Sequence, residues 1–271
     1  MKRALVAFAL LLTLVVAIVP IAGASAASQI LGAPRIKVKE SDSLNWAGYA
    51  VETNLINPQS GAVSDVKGQW LVPAVNCTQS STLSTPRHGK STAKGTTAYS
   101  STWVGIDGYS DGTVEQIGTE QDCISGQPYY YAWYEMYPQM PVKLSMPIKS
   151  GEIISAEVQF STGFALSLTE SDPAGTNSFT TNASNNAQRS SAEWIVEAPS
   201  SGRVLPLANF GTVQFKNATA TLNGATAVID NSAWQNDPLT MVTKTGTIKA
   251  SPSPLSDNTL GSSFGVTWSH N

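Results

Sequence analysis

The chain has 271 residues and only 13% of them are charged, 16 Lys and Arg against 19 Asp and Glu, for a formal net charge of −3. About a quarter charged is usual for globular domains, so Ser, Thr, Asn, Gln and Gly must supply the hydrated surface. No basic stripe exists, which excludes nucleic acid as an expected partner.

Lys2-Arg3 precedes an apolar run from Ala4 to Ala24, closed by Ala24-Ser25-Ala26. A basic start, an apolar stretch and a small-residue cleavage site predict a secretory signal over residues 1–26. The competing reading is a retained membrane anchor, since the run is nearly long enough to span. The abrupt Ala-x-Ala end favours cleavage, secretion and no stable membrane association afterwards. Residues 27–43 are polar, carry Arg35, Lys37 and Lys39, and read as a linker or short pro-segment.

Residues 44–271 read as one β domain, long enough for a sizeable core. Runs rich in Val, Ile, Thr, Tyr and Trp alternate with Gly, Pro, Asn and Asp clusters. Ten strands are predicted: Val66–Val72, Ser101–Ile106, Thr113–Gly118, Tyr129–Tyr137, Ile153–Phe160, Phe164–Thr169, Ala192–Glu197, Thr212–Leu222, Leu239–Ile248 and Phe264–Trp268. No helical stripe is sustained, so the fold class is all-β, a sandwich or barrel. The segments Asn76–Tyr99 and Ser171–Ser190 read as long polar loops. Cys77 and Cys123 fit one disulfide in an exported chain, with two separate buried thiols as the alternative. Asn76, Asn182 and Asn217 begin Asn-x-Ser/Thr sequons.

Alternation within the strands groups the polar residues. Tyr129, Tyr131, Trp133, Glu135 and Tyr137 share one face, as do Glu193, Ile195 and Glu197, and Val114 and Gln116. A carboxylate can activate water, and an amide can steady the oxyanion formed when water attacks a peptide bond. Taken singly, each of these positions is an ordinary solvent-facing strand residue. Gly108-Tyr109-Ser110-Asp111-Gly112 matches a nucleophile-elbow pattern, but a strand rather than a helix follows, so a hairpin turn is predicted. His88, His270, Cys77 and Cys123 lack the close spacing of zinc sites, so no metal or cofactor is expected. Paired carboxylates for glycoside hydrolysis remain open, because Glu115, Glu135, Glu193 and Glu197 all lie on predicted strands.

Six blocks, in order, resemble the glutamic peptidases, or eqolisins. They are Asn45-Trp46-Ala47-Gly48, Gln69-Trp70-Leu71-Val72-Pro73, Trp103-Val104-Gly105-Ile106-Asp107-Gly108, Gln116-Ile117-Gly118, Ala132-Trp133-Tyr134-Glu135-Met136-Tyr137-Pro138 and Ala192-Glu193-Trp194-Ile195-Val196-Glu197. The resemblance runs from Leu44 to the C-terminus and weakens after Phe215. It implies two antiparallel sheets packed as a bent, lectin-like (concanavalin-like) β-sandwich, a secreted, acid-acting endopeptidase that hydrolyses polypeptides as a monomer. It places the catalytic glutamine on Gln116 and the catalytic glutamate on Glu197. The substrate groove then falls on Trp46, Trp103, Asp107, Trp133, Glu135 and Tyr137. Tyr131 and Met136 depart from the family pattern of Asp and Trp, which bears on substrate preference. The alternatives from other classes are a carbohydrate-binding lectin-like module, with Trp103 and Trp133 stacking on sugars, and a glycosidase on the same sandwich.

Overall fold

The computed structural model describes residues 32–78, 97–256 and 261–271. The predicted signal and His88 lie outside the described residues, as does most of the Asn76–Tyr99 loop. In chain order the strands are β1 (Lys37–Lys39), β2 (Asp42–Ser43), β3 (Trp46–Glu52), β4 (Val63–Leu71), β5 (Ser101–Ile106) and β6 (Val114–Ile124). They continue with β7 (Gln127–Tyr137), β8 (Val142–Lys143), β9 (Ile153–Phe160), β10 (Phe164–Asp172), β11 (Gly175–Ala183) and β12 (Ser191–Glu197). The last are β13 (Thr212–Leu222), β14 (Ala225–Val228), β15 (Gln235–Val242), β16 (Ile248–Pro252) and β17 (Phe264–Trp268). Among the described residues no helix is long and apolar enough to cross a membrane.

Two sheets face each other. The first runs β15-β3-β12-β5-β6-β7-β8, antiparallel throughout. The second runs β11-β10-β9-β4-β13-β17-β16. Strand β15 belongs to both: Gln235–Leu239 pair with β3, whereas Met241 and Val242 pair with β16. Twisted sheets turn corners in this way. The core between the layers holds Trp70, Trp194, Phe164, Phe215, Val104, Ile117 and Leu168, all fully buried. A buried tryptophan here contributes about 4–6 kcal/mol of gross hydrophobic stabilisation.

The sequence reading needs two corrections. The first part of Ser171–Ser190 is not a loop, because β10 and β11 form a continuous hairpin from Phe164↔Ala183 to Asp172↔Gly175, and beyond the turn at residues 173–174 only residues 184–190 lie outside strands. β11 alternates Asn, Ser and Thr at an exposed sheet edge, so it carries no hydrophobic period. Leu239–Ile248 is likewise two strand ends, β15 and β16, joined by a turn at Gly246 with φ of 87°. The hairpin reading of residues 108–112 holds, since β5 and β6 pair antiparallel from Ile106↔Glu115.

Cys77 and Cys123 are joined, with Cα atoms 5.4 Å apart and 46 positions apart in sequence. Closing a loop of that length restricts the unfolded chain, so replacing both cysteines by Ala is expected to cost about 2–4 kcal/mol. A lowered urea midpoint with a raised m-value, as the freed unfolded chain expands, is the expected result. An unchanged midpoint would show that the bridge adds nothing to stability.

Candidate active site

The position of Glu197 follows from the packing of Trp194. The Trp194 indole points between the sheets, where its Nε1 donates to the Lys67 carbonyl at 2.8 Å. It lies on Gly68 of β4, where an added Cβ would stand 2.9 Å from the indole. Successive strand residues face opposite ways, so Glu193, Ile195 and Glu197 emerge on the outer face of the first sheet. β12 lies between β3 and β5, which sets Glu197 opposite Trp46 and Ser101. On the same face, Gln116 lies opposite Gly105 and Glu135.

The absence of side chains at Gly105 and Gly118 shapes the site. A Cβ on Gly105 would meet the Trp103 ring at 2.9 Å, and one on Gly118 would meet Trp103 Cβ at 2.6 Å. Trp103 therefore lies down across both, edge-on to Trp46 with ring centroids 4.9 Å apart. Its Nε1 donates to Glu197 Oε2 at 3.0 Å. With Ala50, Val114, Trp133, Ile195 and Leu239 these rings form a second apolar cluster on the outer face.

The segment Gly32–Arg35 lies over this face. Ala33 N–H donates to Glu197 Oε1 at 3.0 Å, and Trp46 Nε1 donates to the Ala33 carbonyl at 2.9 Å. Asn45 Nδ2 reaches both Glu197 Oε1 at 3.3 Å and the Pro34 carbonyl at 3.2 Å. Gly32 packs on the other partner: a Cβ there would collide with the Gln116 amide nitrogen and with Glu135 Oε2. Gln116 Nε2 itself donates to Glu135 Oε2 at 2.8 Å. One peptide unit, Gly32–Ala33, thus spans Gln116 and Glu197.

The face is rich in buried acids. Burial, reinforced by Glu135, pushes Glu197 well above the usual carboxylate range, while Ala33 N–H, Trp103 and Asn45 pull the other way. Burial raises Glu135 to about 8, against hydrogen bonds from Gln116 and the Gly32 backbone. Neutral Glu135 leaves Glu197 freer to ionise, since the repulsion between them is removed. Glu120 and Glu193 are also raised by burial and by neighbouring carboxylates.

The structure brings together Trp46, Trp103, Trp133, Gln116, Glu135 and Glu197. Tyr137 lies further along β7 and packs against the same apolar cluster, while its carbonyl accepts a hydrogen bond from Asn185 Nδ2 at 3.0 Å. Asp107 is fully buried and engaged with backbone: its oxygens accept the Arg189 and Ser190 N–H groups at 2.6 and 2.7 Å. Sequence reasoning did not single out Asn45, although it stands beside Trp46 in the first quoted block. It also missed Ala33 and Arg35, which carry no periodic signal. The disulfide takes Cys77 and Cys123 out of any ligand set. A separate group, Glu152, Glu170 and Asp172, brings oxygens together on the second sheet. There Glu152 accepts Lys149 N–H and Glu170 accepts Asn177 Nδ2.

Comparison with known proteins places these features in context. Residues 44–259 match the peptidase A4 family. Aspergillopepsin-2 of Aspergillus niger is 32% identical over 197 residues, spanning 69% of this chain and 67% of that protein. Scytalido-glutamic peptidase, solved with a transition state analog inhibitor, superposes with a TM-score of 0.61 at 21% identity, covering 83% of this chain and 98% of its own. Aspergilloglutamic peptidase from Aspergillus niger gives a TM-score of 0.53 at 31% identity, over 64% of this chain and 99% of its own.

Proposed function

Since the chain belongs to the peptidase A4 family and is a peptide-bond hydrolase acting on polypeptides, we propose that Glu197 and Gln116 are its catalytic pair. The observation that supports this reading is the peptide unit Gly32–Ala33, which touches both side chains at once. A scissile peptide lying the same way would present its leaving nitrogen to Glu197, with the preceding residue beside the Gln116 amide.

In this mechanism ionised Glu197 takes a proton from water as the water oxygen attacks the carbonyl carbon. Gln116 Nε2 donates to the oxyanion of the tetrahedral intermediate, where the developing charge makes the bond strongest. Protonated Glu197 then returns the proton to the amine as the C–N bond breaks, leaving a carboxylic acid and a free amine. Trp103 Nε1 and Asn45 Nδ2 fix the Glu197 carboxyl from opposite sides. The side-chain amide of Gln116 is itself positioned by Glu135. Acid-range activity then requires Trp103, Asn45 and a neutral Glu135 to outweigh the burial that raises Glu197. The Cys77–Cys123 bridge and the apolar N-terminal run support secretion.

Digestion of denatured casein across pH 2 to 7, with inhibitors of aspartic and metallopeptidases present, tests the pair. Gln116→Ala is expected to lower kcat about 10²–10³-fold, the usual effect of removing one oxyanion donor. Full turnover in that variant would remove the amide from the mechanism.

A further inference from the structure

We propose that Glu152, Glu170 and Asp172 form a calcium site that ties the start of β9 to the β10–β11 hairpin. On β10 the side chains of Phe164, Leu166 and Leu168 are buried in the core, and Glu170 and Asp172 continue the same alternation. In register, Glu170 lies opposite Ile154 of β9. Glu152 stands two residues before Ile154, and the order buried, exposed, buried over Glu152, Ile153 and Ile154 sets it on that same inner face. The apolar stripe at this end of the second sheet therefore closes in three carboxyl groups. One oxygen from each lies within 4.8 Å of the other two. Two ligands of one calcium ion, each about 2.4 Å from it, are at most about 4.8 Å apart.

Glu170 is the residue that points to a ligand. It is 3% exposed. Its Oε2 accepts Asn177 Nδ2 at 2.8 Å, while its Oε1 is buried and has no hydrogen-bond partner. A buried carboxylate oxygen with neither donor nor counter-charge is costly. The two neighbouring carboxylates bring only further acceptors and further negative charge. Backbone bonds hold them in place beside Glu170: Glu152 Oε2 accepts Lys149 N–H at 2.6 Å, and Asp172 Oδ1 accepts the Ala174 and Gly175 N–H groups at 2.7 and 3.0 Å. Burial, reinforced by Glu170 and Asp172, raises the Glu152 pKa, against the backbone N–H and charge of Lys149. Among the described residues no Lys or Arg stands within ion-pair distance of any of the three.

The donor set selects the ion. Three carboxylates with no nitrogen or sulfur suit a hard cation rather than zinc. Calcium takes about six to eight oxygens in irregular geometry, whereas magnesium demands a near-ideal octahedron. Water completes the shell, since Asp172 sits at the tip of the hairpin. The expectation that no metal binds came from His and Cys spacing, and carboxyl groups gathered across paired strands leave no spacing of that kind. The site is on the inner face of the second sheet, whereas Glu197 and Gln116 are on the outer face of the first. A calcium ion here acts on stability and not on peptide-bond chemistry. The Glu152 carbonyl accepts Val72 N–H at 2.9 Å, so the ion joins the chain just after β4, through Glu152, to the hairpin that forms the edge of this sheet.

The test uses the full-length chain, freed of metal with a chelator and dialysed, in titration and scanning calorimetry at about pH 6.5. Calcium chloride is expected to bind at one ion per chain with Kd on the order of 10⁻⁴ M, the range of extracellular modules. At about 10 mM it should raise Tm by about 5–10 °C. Magnesium chloride should give a much smaller shift, and sodium chloride at matched ionic strength none. Glu170→Gln keeps the shape of the side chain and removes its charge, so it should fold without calcium and lose the calcium shift. Asp172→Asn, at the hairpin tip, should weaken calcium binding about tenfold, and it carries the test if Glu170→Gln does not fold. A Tm that ignores calcium, a shift that magnesium or sodium chloride reproduces in full, or an undiminished shift in the variants that fold overturns the proposal.

Discussion

Glu197→Gln is expected to lower kcat/KM by at least about 10⁴-fold, the scale seen when a group that serves as both base and acid is lost. The replacement keeps shape and volume and removes only the capacity to accept and return a proton. Donors approach both oxygens, Ala33 N–H and Asn45 on one and Trp103 on the other. Either orientation of the new amide therefore sets its NH2 against a donor, which costs about 1–3 kcal/mol. Set against that, a deeply buried acid disappears. The variant should stay folded, with the wild-type circular dichroism spectrum and a sharp thermal transition at pH 4. A folded Glu197→Gln enzyme retaining more than about one-hundredth of wild-type turnover would exclude Glu197 as the base.

The second large effect concerns stability against pH. Burial lifts Asp107 and Asp122 from 3.8 to about 7, Glu52 from 4.5 to about 7, Glu135 to about 8 and Glu115 to about 9. Between roughly pH 4 and these values the folded chain binds more protons than the unfolded one. Linkage then makes stability fall as pH rises across that window, the reverse of a salt-bridged carboxylate. One group raised by three units contributes about 4 kcal/mol as a ceiling. Adjacent acids share their protons and ionise in turn. The net loss from pH 4 to pH 8 should therefore be on the order of 5 kcal/mol, or about 10–20 °C in Tm. Calorimetry at matched ionic strength measures it directly. A Tm that holds level or rises between those pH values would contradict the assignment of neutral buried acids.

The parts of the fold legible in the sequence were those where hydrophobic alternation survives on at least one face. In β12 the parity of Ala192, Trp194 and Val196 against Glu193, Ile195 and Glu197 separates the two apolar clusters found in the structure. Gln116, Glu135 and Trp133 were legible as single-face positions for the same reason, whereas Trp46 and Trp103 entered only through the family resemblance. β11 was not, because Thr176, Asn177, Ser178, Thr180 and Thr181 line an exposed edge with no period to detect. The join between β15 and β16 was hidden by apolar residues on both sides of a turn. The segment Gly32–Arg35 was illegible for another reason. Its structure is made by bonds to partners such as Glu197, 164 residues away, and nothing local announces them.

The Trp194 indole seated on Gly68 has a consequence for how this chain can change in length. Deleting or inserting one residue within β12 would exchange its two faces, sending the carboxyl group of Glu197 into the interior and a tryptophan out to the opposite face. Such a frame slip cannot be absorbed gradually, because no intermediate register keeps either side chain in place. Tolerated length variation is therefore confined to the ends of hairpins, such as residues 108–112 ahead of β6 or the stretch after Pro199, while β12 itself behaves as an indivisible unit of inheritance.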